Sequence, residues 1–344
     1  MNAFAHPDSH PKFSVIICAY TEKRWESLLQ AVESVQNQTL PPREIILVID
    51  HNPDLFRSAS QQLKNILTVE NQQEPGLSGA RNTGISRAQG SFIAFMDEDA
   101  IPAPDWLEKL ATPYRDPEIM GVGGAIEPIW ESRKPAWFPD EFTWVVGCTY
   151  KGMPVAASPV RNLIGCNMSF RREVFETSGG FRNDMGRIGS IPAGCEETEL
   201  CIRARHRFPG KTLLYQPEAK VKHRVPSIRS NWRYFQSRCY AEGISKALVA
   251  NYVGSGDGLA SERDYTFHTL PEGVGRGIKE AISQGKPAGL LRASAIIAGL
   301  LMTAAGYLVG SISQKIVQYR SSLRGSYRYQ RTGMIEHGKH IAGE

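Results

Sequence analysis

The chain has 344 residues, of which 41% are hydrophobic and 22% charged, and its net charge is +5. This composition excludes an intrinsically disordered protein and predicts one large domain with appendages or two domains. The 40 basic and 35 acidic residues are spread along the sequence, which argues against a nucleic-acid-binding protein. The six cysteines form no Cys-x-x-Cys pair, so neither a zinc site nor a disulfide framework is indicated, and we expect reduced thiols.

Residues 1–11 are polar and lack the apolar run of a secretion signal. We expect a flexible tail there and a cytosolic location for the folded part. Short apolar segments then alternate with amphipathic ones. Phe13–Cys18 and Glu44–Ile49 predict strands, and Trp25–Gln36 predicts a helix because apolar residues recur every three or four positions. Such alternation predicts a mostly parallel sheet in an α/β fold.

Three consecutive acids, Asp97, Glu98 and Asp99, follow a short apolar run at 91–96. The run predicts a strand buried on both faces, and the carboxyl ends of such strands form the edge where open α/β sheets bind ligands. Two carboxylates at Asp-x-Asp spacing repel each other unless a cation lies nearby, and a divalent metal that carries a phosphate would satisfy them. The alternative is a solvated acidic turn before Pro102.

Glycines surround Arg81 in the segment Gly76–Gly84, just before this strand. They would allow a short helix to pack closely on the sheet, while the Arg81 guanidinium could bind a phosphate or a base edge. A helix with a solvated Arg81 is the alternative. Residues 121–157 are rich in glycine, proline and aromatics and predict loop and irregular strand, whose aromatics either stack on sugars or form a local core.

Two features lie further along the chain. Glu196 and Glu197 begin a predicted helix, where acids either serve chemistry or stabilise the positive helix end. His223 ends an alternating strand and by itself indicates nothing specific.

Residues 293–312 carry no charge and as a helix would extend ~30 Å, the thickness of the bilayer core. They form a candidate membrane segment. Because the run is rich in alanine and glycine, with Gly306 and Gly310 offering a close-packing face, a helix packed inside the protein is the alternative. Basic residues flank both ends, so the positive-inside rule selects no orientation.

Taken together, the motifs between Phe13 and Arg224 resemble glycosyltransferase family 2, whose members use nucleotide sugars and have the A-type glycosyltransferase fold. The order and spacing of six signals carry the resemblance: the opening strand into Ala19–Glu22, Ile49–Asp50, Gly79–Asn82, Asp97–Asp99, the strand, helix and Gly-Gly-Phe turn of Asn167–Phe181, and the acidic helix start at Glu196.

The resemblance implies roles on the nucleotide side of the site. Tyr20, Thr21 and Glu22 would form the first wall of the nucleotide pocket, and Asp50 would bind the base. The residue after Asp50 is often a second acid in the family but is His51 here. Arg81 would neighbour the base or diphosphate, and Asp97 would lie near the ribose and the metal.

The resemblance also implies a metal and a base. Asp99 would bind Mg²⁺ or Mn²⁺, with His223 as a second ligand. Family members commonly have Glu-Asp at the helix start, with the aspartate as base. Here the pair is Glu196-Glu197, so Glu197 is the expected base and Glu196 its rival, and the expected stereochemistry is inversion.

The implied enzyme moves one sugar from a nucleotide-diphosphate sugar, with a UDP-sugar favoured, to a glycan, lipid-linked or small-molecule acceptor. We expect it to act in glycan, glycolipid or polysaccharide biosynthesis, at the cytoplasmic face of a membrane. The expected organisation is a tail at 1–11, a catalytic domain at 12–235, an extension at 236–287, an apolar helix at 288–312 and a basic tail at 313–344. The alternatives are a sugar-phosphate nucleotidyltransferase and a membrane-anchored, non-catalytic nucleotide-sugar-binding protein.

Overall fold

A single mixed sheet organises the computed structural model, which describes residues 11–187, 194–254, 256 and 263–339, with side chains described as far as Gln314. Nine strands belong to this sheet within those ranges. They are β1 (Phe13–Ala19), β2 (Glu44–Ile49), β3 (Leu67–Glu70), β4 (Phe92–Asp97), β5 (Ala100–Pro102), β6 (Ile119–Trp130), β7 (Ser158–Val160), β8 (Asn167–Arg171) and β9 (Thr212–Val225).

The strand order is β3-β2-β1-β4-β8-β6-β9-β5, and β7 also pairs with β9. The prediction of a parallel sheet holds for β3, β2, β1 and β4. The other half is mixed, because β8 runs antiparallel to both β4 and β6, while β6 and β9 are parallel. The result is an α/β sheet whose parallel half presents its carboxyl ends at one edge.

Helices cover both faces of the sheet. They are α1 (Trp25–Gln36), α2 (Pro53–Gln62), α3 (Leu77–Arg87), α4 (Trp106–Ala111), α5 (Arg172–Ser178), α6 (Glu196–Arg207), α7 (Trp232–Val253), α8 (Leu270–Gln284) and α9 (Ala288–Lys339). Alternate residues of each central strand enter different cores: in β1, Val15 and Ile17 belong to one buried cluster and Ile16 to the other. This two-sided burial explains why β1, β2 and β4 are continuously apolar.

Glycines let α3 approach the sheet, as predicted. A Cβ on Gly84 would lie 2.6 Å from the Ile16 side chain, and one on Gly79 would lie 2.1 Å from the backbone oxygen of Glu74. Both distances are too short for any side chain, so glycine is needed where this helix contacts its neighbours.

The structure refines two sequence predictions. The glycine-rich segment predicted as loop and irregular strand contains most of β6, a strand of 12 residues whose register against β9 shifts between Gly124 and Ile126. A Cβ on Gly124 would lie 1.8 Å from the Ala219 oxygen, so glycine is needed where these two strands pair. The strand predicted to end at His223 is the last part of the longer strand β9. Of the aromatics, Phe138 and Phe142 belong to the core.

The C-terminal helices α7 and α9 pack on each other through small residues. A Cβ on Gly243 of α7 would lie 2.0 Å from the Thr303 oxygen of α9, and one on Gly306 of α9 would lie 2.0 Å from the Tyr240 oxygen. Residues Ala288–Gln314 of α9 are long and apolar enough to cross a membrane by length and composition. The proposed boundary at residue 235 falls inside α7, and the proposed N-terminal tail lies outside the described residues except for its last position.

The close contact between α7 and α9 gives a test with a matched control. We expect Gly243→Ala to lower the free energy of unfolding by about 1–3 kcal/mol, because its methyl group would meet the α9 backbone. Gly275→Ala in α8 has open space around the new Cβ, so it should be neutral or stabilise by up to about 1 kcal/mol. Urea unfolding of both variants checks this, and equal effects would contradict the packing.

Candidate active site

The ends of β1, β2 and β4 bring the predicted residues to one edge of the sheet. Cys18 pairs with Asp97 and Ala19 with Ile49, so Tyr20, Asp50 and the three acids follow aligned strand ends. Tyr20 and Asp50 line a cavity of about 80 Å³ together with Asp97, Glu98 and Asp99. Thr21 and Glu22 lie in the adjoining turn, where the Thr21 hydroxyl accepts a hydrogen bond from the Lys23 amide.

Asp50 organises the loop that leads to α3. Its carboxylate accepts hydrogen bonds from the Asn71 side chain at 2.7 Å and from the Gly76 amide at 2.9 Å. His51 has a left-handed backbone, with φ of 49°, and its Nδ1 lies 2.9 Å from the Asp50 carboxylate. The residue expected to bind a base is therefore held rigidly at the cavity wall by its own neighbours.

Arg24 neutralises the acids at the end of β4. Its guanidinium lies 2.9 Å from the Glu98 carboxylate and 3.1 Å from that of Asp99. Both carboxylates are buried. Burial raises the pKa of Glu98 to about 8, although Arg24 opposes the shift. Sequence reasoning gave Arg24 no role, because a basic residue in a short turn after β1 carries no distinguishing pattern.

Asp99 and His223 form a buried ion pair. The β5–β9 register sets Ala100 opposite His223, which brings the Asp99 carboxylate to 3.2 Å from His223 Nε2. Burial opposes the charged form of Asp99, but the charge and hydrogen bond of His223 outweigh it and hold the pKa of Asp99 below its usual value. The two residues expected at the metal are therefore in direct contact.

Donor atoms of Asp97, Cys166 and His223 all lie within 4.8 Å of one another. The antiparallel β4–β8 register sets Met96 opposite Asn167 and so brings Cys166 beside Asp97. Carboxylate, imidazole and thiol groups are all metal ligands, and Asp97 keeps about a third of its side chain exposed. These three residues thus form a candidate site for a divalent cation, and Asp99 adjoins it through its contact with His223. Cys166 was missed by sequence reasoning because it is a single cysteine before a strand.

Arg81 is buried and ties two parts of the site together. Its guanidinium lies 2.8 Å from Glu196 at the start of α6 and 3.8 Å from Asp97 at the end of β4. It also donates to the Gly165 oxygen at 3.3 Å and lies over the Phe181 ring at 5.2 Å. The structure thus excludes the alternative of a helix with a solvated Arg81. The Glu196 carboxylate forms an ion pair with this guanidinium.

Glu197 differs from Glu196 in exposure, because it is half-buried whereas Glu196 is buried. Both line a second cavity of about 550 Å³. Burial and the neighbouring Glu196 carboxylate raise the pKa of Glu197 to about 8, while the Arg81 charge acts in the opposite direction. A carboxylate with a pKa in this range can accept a proton near neutral pH.

The two cavities meet along shared walls. Leu77, Asp97, Arg187, His223 and Arg229 line both of them. Burial and the charges of Arg229 and Arg238 lower the pKa of Arg187, which shows that like charges gather at this junction. Sequence reasoning missed all three arginines, because they come from a loop, a short turn and α7, which no motif connects.

The site therefore combines acids at the carboxyl edge of an α/β sheet with a half-buried glutamate that faces an adjoining cavity. The family model for glycosyl transferase family 2 matches residues 14–179. A glucosyl-dolichyl phosphate glucuronosyltransferase of Haloferax volcanii is 35% identical over 242 residues, which cover 69% of this chain and 77% of the relative. The chain belongs to glycosyltransferase family 2, as its motifs predicted.

Two further comparisons agree. The succinoglycan biosynthesis protein ExoM of Rhizobium meliloti is 24% identical over 246 residues, which cover 69% of this chain and 74% of the relative. A solved mannosyltransferase of Pyrobaculum calidifontis, in complex with GDP-Man and Mn²⁺, matches with a TM-score of 0.54 at 18% identity and covers 90% of this chain and 88% of its own. That likeness confirms the A-type glycosyltransferase fold. Family membership sets aside the sugar-phosphate nucleotidyltransferase.

The buried pair of Arg81 and Glu196 can be tested by stability. Arg81→Met should lower the free energy of unfolding by about 3–5 kcal/mol, because it leaves the Glu196 carboxylate buried without its partner. The double variant Arg81→Met/Glu196→Met should recover part of that loss, since it removes both charges. Denaturant unfolding of the single and double variants measures the coupling, and strictly additive effects would rule out the pair.

Proposed function

We propose that this enzyme transfers one sugar, with inversion and with the help of a divalent metal, from a nucleotide-diphosphate sugar to a hydroxyl of a lipid-linked glycan at the cytoplasmic face of a membrane. The observation that carries the proposal is the pair of joined cavities. The smaller one contains the acids at the strand ends, the larger one contains Glu197, and Asp97 and His223 line both. Donor and acceptor would meet at this shared wall.

The donor would bind with its base end in the smaller cavity, which at about 80 Å³ holds only part of a nucleotide sugar, and would extend to the shared wall. Asp50 and Tyr20 would face its base, and Asp97, Asp99 and His223, with Cys166 beside them, would hold Mg²⁺ or Mn²⁺. The metal would supply positive charge that stabilises the departing diphosphate. The mannosyltransferase from Pyrobaculum calidifontis is solved with Mn²⁺ and a nucleotide sugar, which supports the same requirement here. A UDP-sugar remains the favoured donor.

Arg187 and Arg229 would bind the leaving diphosphate. Both line the two cavities at their junction, where the departing phosphates must lie if donor and acceptor are in separate cavities. Arginine matches phosphate oxygens with paired donors, and fixed cations at that point stabilise the charge that develops during transfer.

Glu197 would deprotonate the acceptor hydroxyl. It lies on the acceptor side, and its raised pKa suits a group that takes up a proton near neutral pH. An acceptor oxygen activated from this side would attack the anomeric carbon opposite the diphosphate, and the anomeric configuration would invert. Glu196 would serve instead to position α6 through Arg81.

The larger cavity supports a phosphate-linked lipid acceptor. Among the described residues, Arg187, Arg229, Arg238 and Lys246 bring positive charge to its wall, while α9 contributes apolar side chains. A sugar on a polyprenyl phosphate combines an anion with an apolar chain. The relative from Haloferax volcanii is named for glucuronosyl transfer to glucosyl-dolichyl phosphate, so UDP-glucuronate and a glucosyl-polyprenyl phosphate are the first substrates to test.

The role of Glu197 is tested by Glu197→Gln. We expect transfer from UDP-glucuronate to glucosyl-polyprenyl phosphate to fall by at least about a hundredfold, because an amide cannot accept the proton. Donor binding, measured as a thermal shift with UDP and Mn²⁺, should stay within about twofold. Glu176→Gln, on the exposed side of α5, is the matched control and should keep full activity.

The same role sets the pH dependence. Because only the deprotonated carboxylate is active, kcat/KM should decrease about tenfold per pH unit below the Glu197 pKa of about 8 and level off above it. An unchanged rate between pH 6 and 8, or equal loss of transfer and donor binding in Glu197→Gln, speaks against Glu197 as the base.

The metal role of Asp99 is tested by nucleotide binding. In the presence of Mn²⁺, Asp99→Asn should weaken UDP binding by at least about tenfold in calorimetry, because a charged ligand is lost. In EDTA the wild type should bind UDP as weakly as the variant does. Asp54→Asn removes a highly exposed acid and serves as the control. Tight UDP binding by Asp99→Asn with Mn²⁺ present would remove Asp99 from the metal site.

A further inference from the structure

We propose that α9 lies along the membrane surface, rather than across the bilayer, and presents one apolar face to anionic lipid. The claim about α9 stands on its packing and exposure. The added claim that a lipid acceptor reaches the site beside α9 rests on the proposed function.

One face of α9 is sealed against the protein along the length of the candidate span. A Cβ on Gly289 would lie 2.3 Å from the Gly277 oxygen of α8, one on Gly299 would lie 2.4 Å from the Phe142 ring, and one on Gly310 would lie 2.9 Å from the Ala247 side chain of α7. From residue 289 to 310 the helix extends ~30 Å. The contacts thus cover the whole thickness that a bilayer crossing would need.

The protein segments that pack against this face of α9 carry charged side chains, which are strongly unfavourable in the hydrocarbon core of a bilayer. On α7, next to the α9 segment that contains Gly306, Glu242 forms ion pairs with Arg238 at 3.3 Å and with Lys246 at 3.4 Å. Next to α8, the Glu141 carboxylate is bound by Arg276. A spanning α9 would draw these charges to bilayer depth, where charged side chains are strongly unfavourable.

The opposite face of α9 is apolar and exposed. Its large side chains lie seven, four, seven and four residues apart, which places them in one stripe of the helix. Each is half exposed or more: Leu290, Ile297, Leu301, Leu308 and Ile312. On the neighbouring helix α8, Ile278 and Ile282 are also exposed. An apolar stripe on a helix whose other face is packed on protein is the arrangement of a helix that lies in the membrane interface.

Basic residues flank the exposed apolar face of α9 in the sequence. This face is called the lipid-facing stripe and consists of Leu290, Ile297, Leu301, Leu308 and Ile312. Lys286 precedes α9, and the sequence after the stripe continues with basic residues: Lys315, Arg320, Arg324, Arg328 and Arg331. Basic residues next to an apolar interfacial surface favour anionic headgroups. This charge selects a lipid surface over a second copy of the chain, because two copies would bring their basic segments together.

Leu308 connects the stripe to the acceptor cavity. It is 61% exposed and also lines the larger cavity, together with Leu300 and Ala304 of the same helix. Residues 300, 304 and 308 recur every four positions and so form one flank of α9. An apolar chain could follow this flank from the membrane to the cavity, where Arg238 and Lys246 line the wall.

Topology provides the first test. The full chain, with a peptide tag at each terminus, is expressed in cells from which inverted and right-side-out membrane vesicles are prepared. If α9 lies on the surface, protease removes both tags from the same vesicle preparation. Removal of the two tags from opposite preparations means that α9 crosses the bilayer, and the proposal is overturned.

The lipid-facing stripe is tested by Ile297→Asp/Leu301→Asp, two positions outside the cavity wall. Flotation with phosphatidylglycerol-containing vesicles should show at least about a tenfold loss of binding, because two apolar side chains that would enter the membrane become charged. Val155→Asp, at a residue that is 96% exposed elsewhere on the domain, should bind vesicles like the wild type. Unchanged vesicle binding by the double variant overturns the proposal. A change from dimer to monomer in light scattering, with no change in lipid binding, also overturns it, because the stripe would then be an interface between two copies of the chain.

Two further measurements distinguish failure of the membrane-surface proposal from failure of the proposed function. The melting temperature of the double variant should match the wild type, which shows that the fold is intact. Slow metal-dependent hydrolysis of UDP-glucuronate in solution should also be unchanged, since neither substituted side chain contacts the donor cavity. Hydrolysis that is absent in the wild type counts against the proposed function alone, because the topology result does not depend on it.

Discussion

The site depends on the balance between clustered acids and two arginines, the half-buried Arg24 and the buried Arg81. The fold brings Asp97, Glu98 and Asp99 to one sheet edge and sets the start of α6 beside them, so several carboxylates lie in a partly buried space. Arg24 binds two of these acids, and Arg81 binds Glu196 while also approaching Asp97. Without these cations the carboxylates would repel one another or take up protons. The arginines therefore offset part of the repulsion at this edge, although burial still raises the pKa of Glu98 to about 8.

Much of the fold was readable from the sequence because parallel strands buried on both faces are continuously apolar. β1, β2 and β4 were predicted nearly to the residue, and the rule that their carboxyl ends meet predicted that Asp50 and Asp97 would lie at one edge. The extent of β6 was not predicted, because its glycines, among them Gly124, resemble loop composition, whereas Gly124 lies at a strand contact too close for a side chain. A high glycine content indicates a backbone with conformational freedom, but it does not show which neighbouring atoms make glycine necessary.

The site residues divide in the same way. Those in motifs, such as Asp99 and Glu197, were found by spacing and resemblance. Cys166, Arg187 and Arg229 were not found, because each lies alone in a segment without periodicity and becomes significant only through strand register or through the wall between the two cavities. Long-range register is a property of the assembled sheet, and a local sequence pattern carries little of it.

Arg81 also links the two halves of the reaction geometry. It joins the end of β4, on the proposed donor side, to the start of α6, which carries Glu197 on the proposed acceptor side. Transfer requires the acceptor oxygen, the anomeric carbon and the leaving oxygen to lie nearly in line, and misplacement by about 1 Å can cost a hundredfold in rate. A single rigid guanidinium that binds both elements fixes their separation. The pair of Arg81 and Glu196 would thus be as much a part of the catalytic geometry as Glu197, the proposed base beside it.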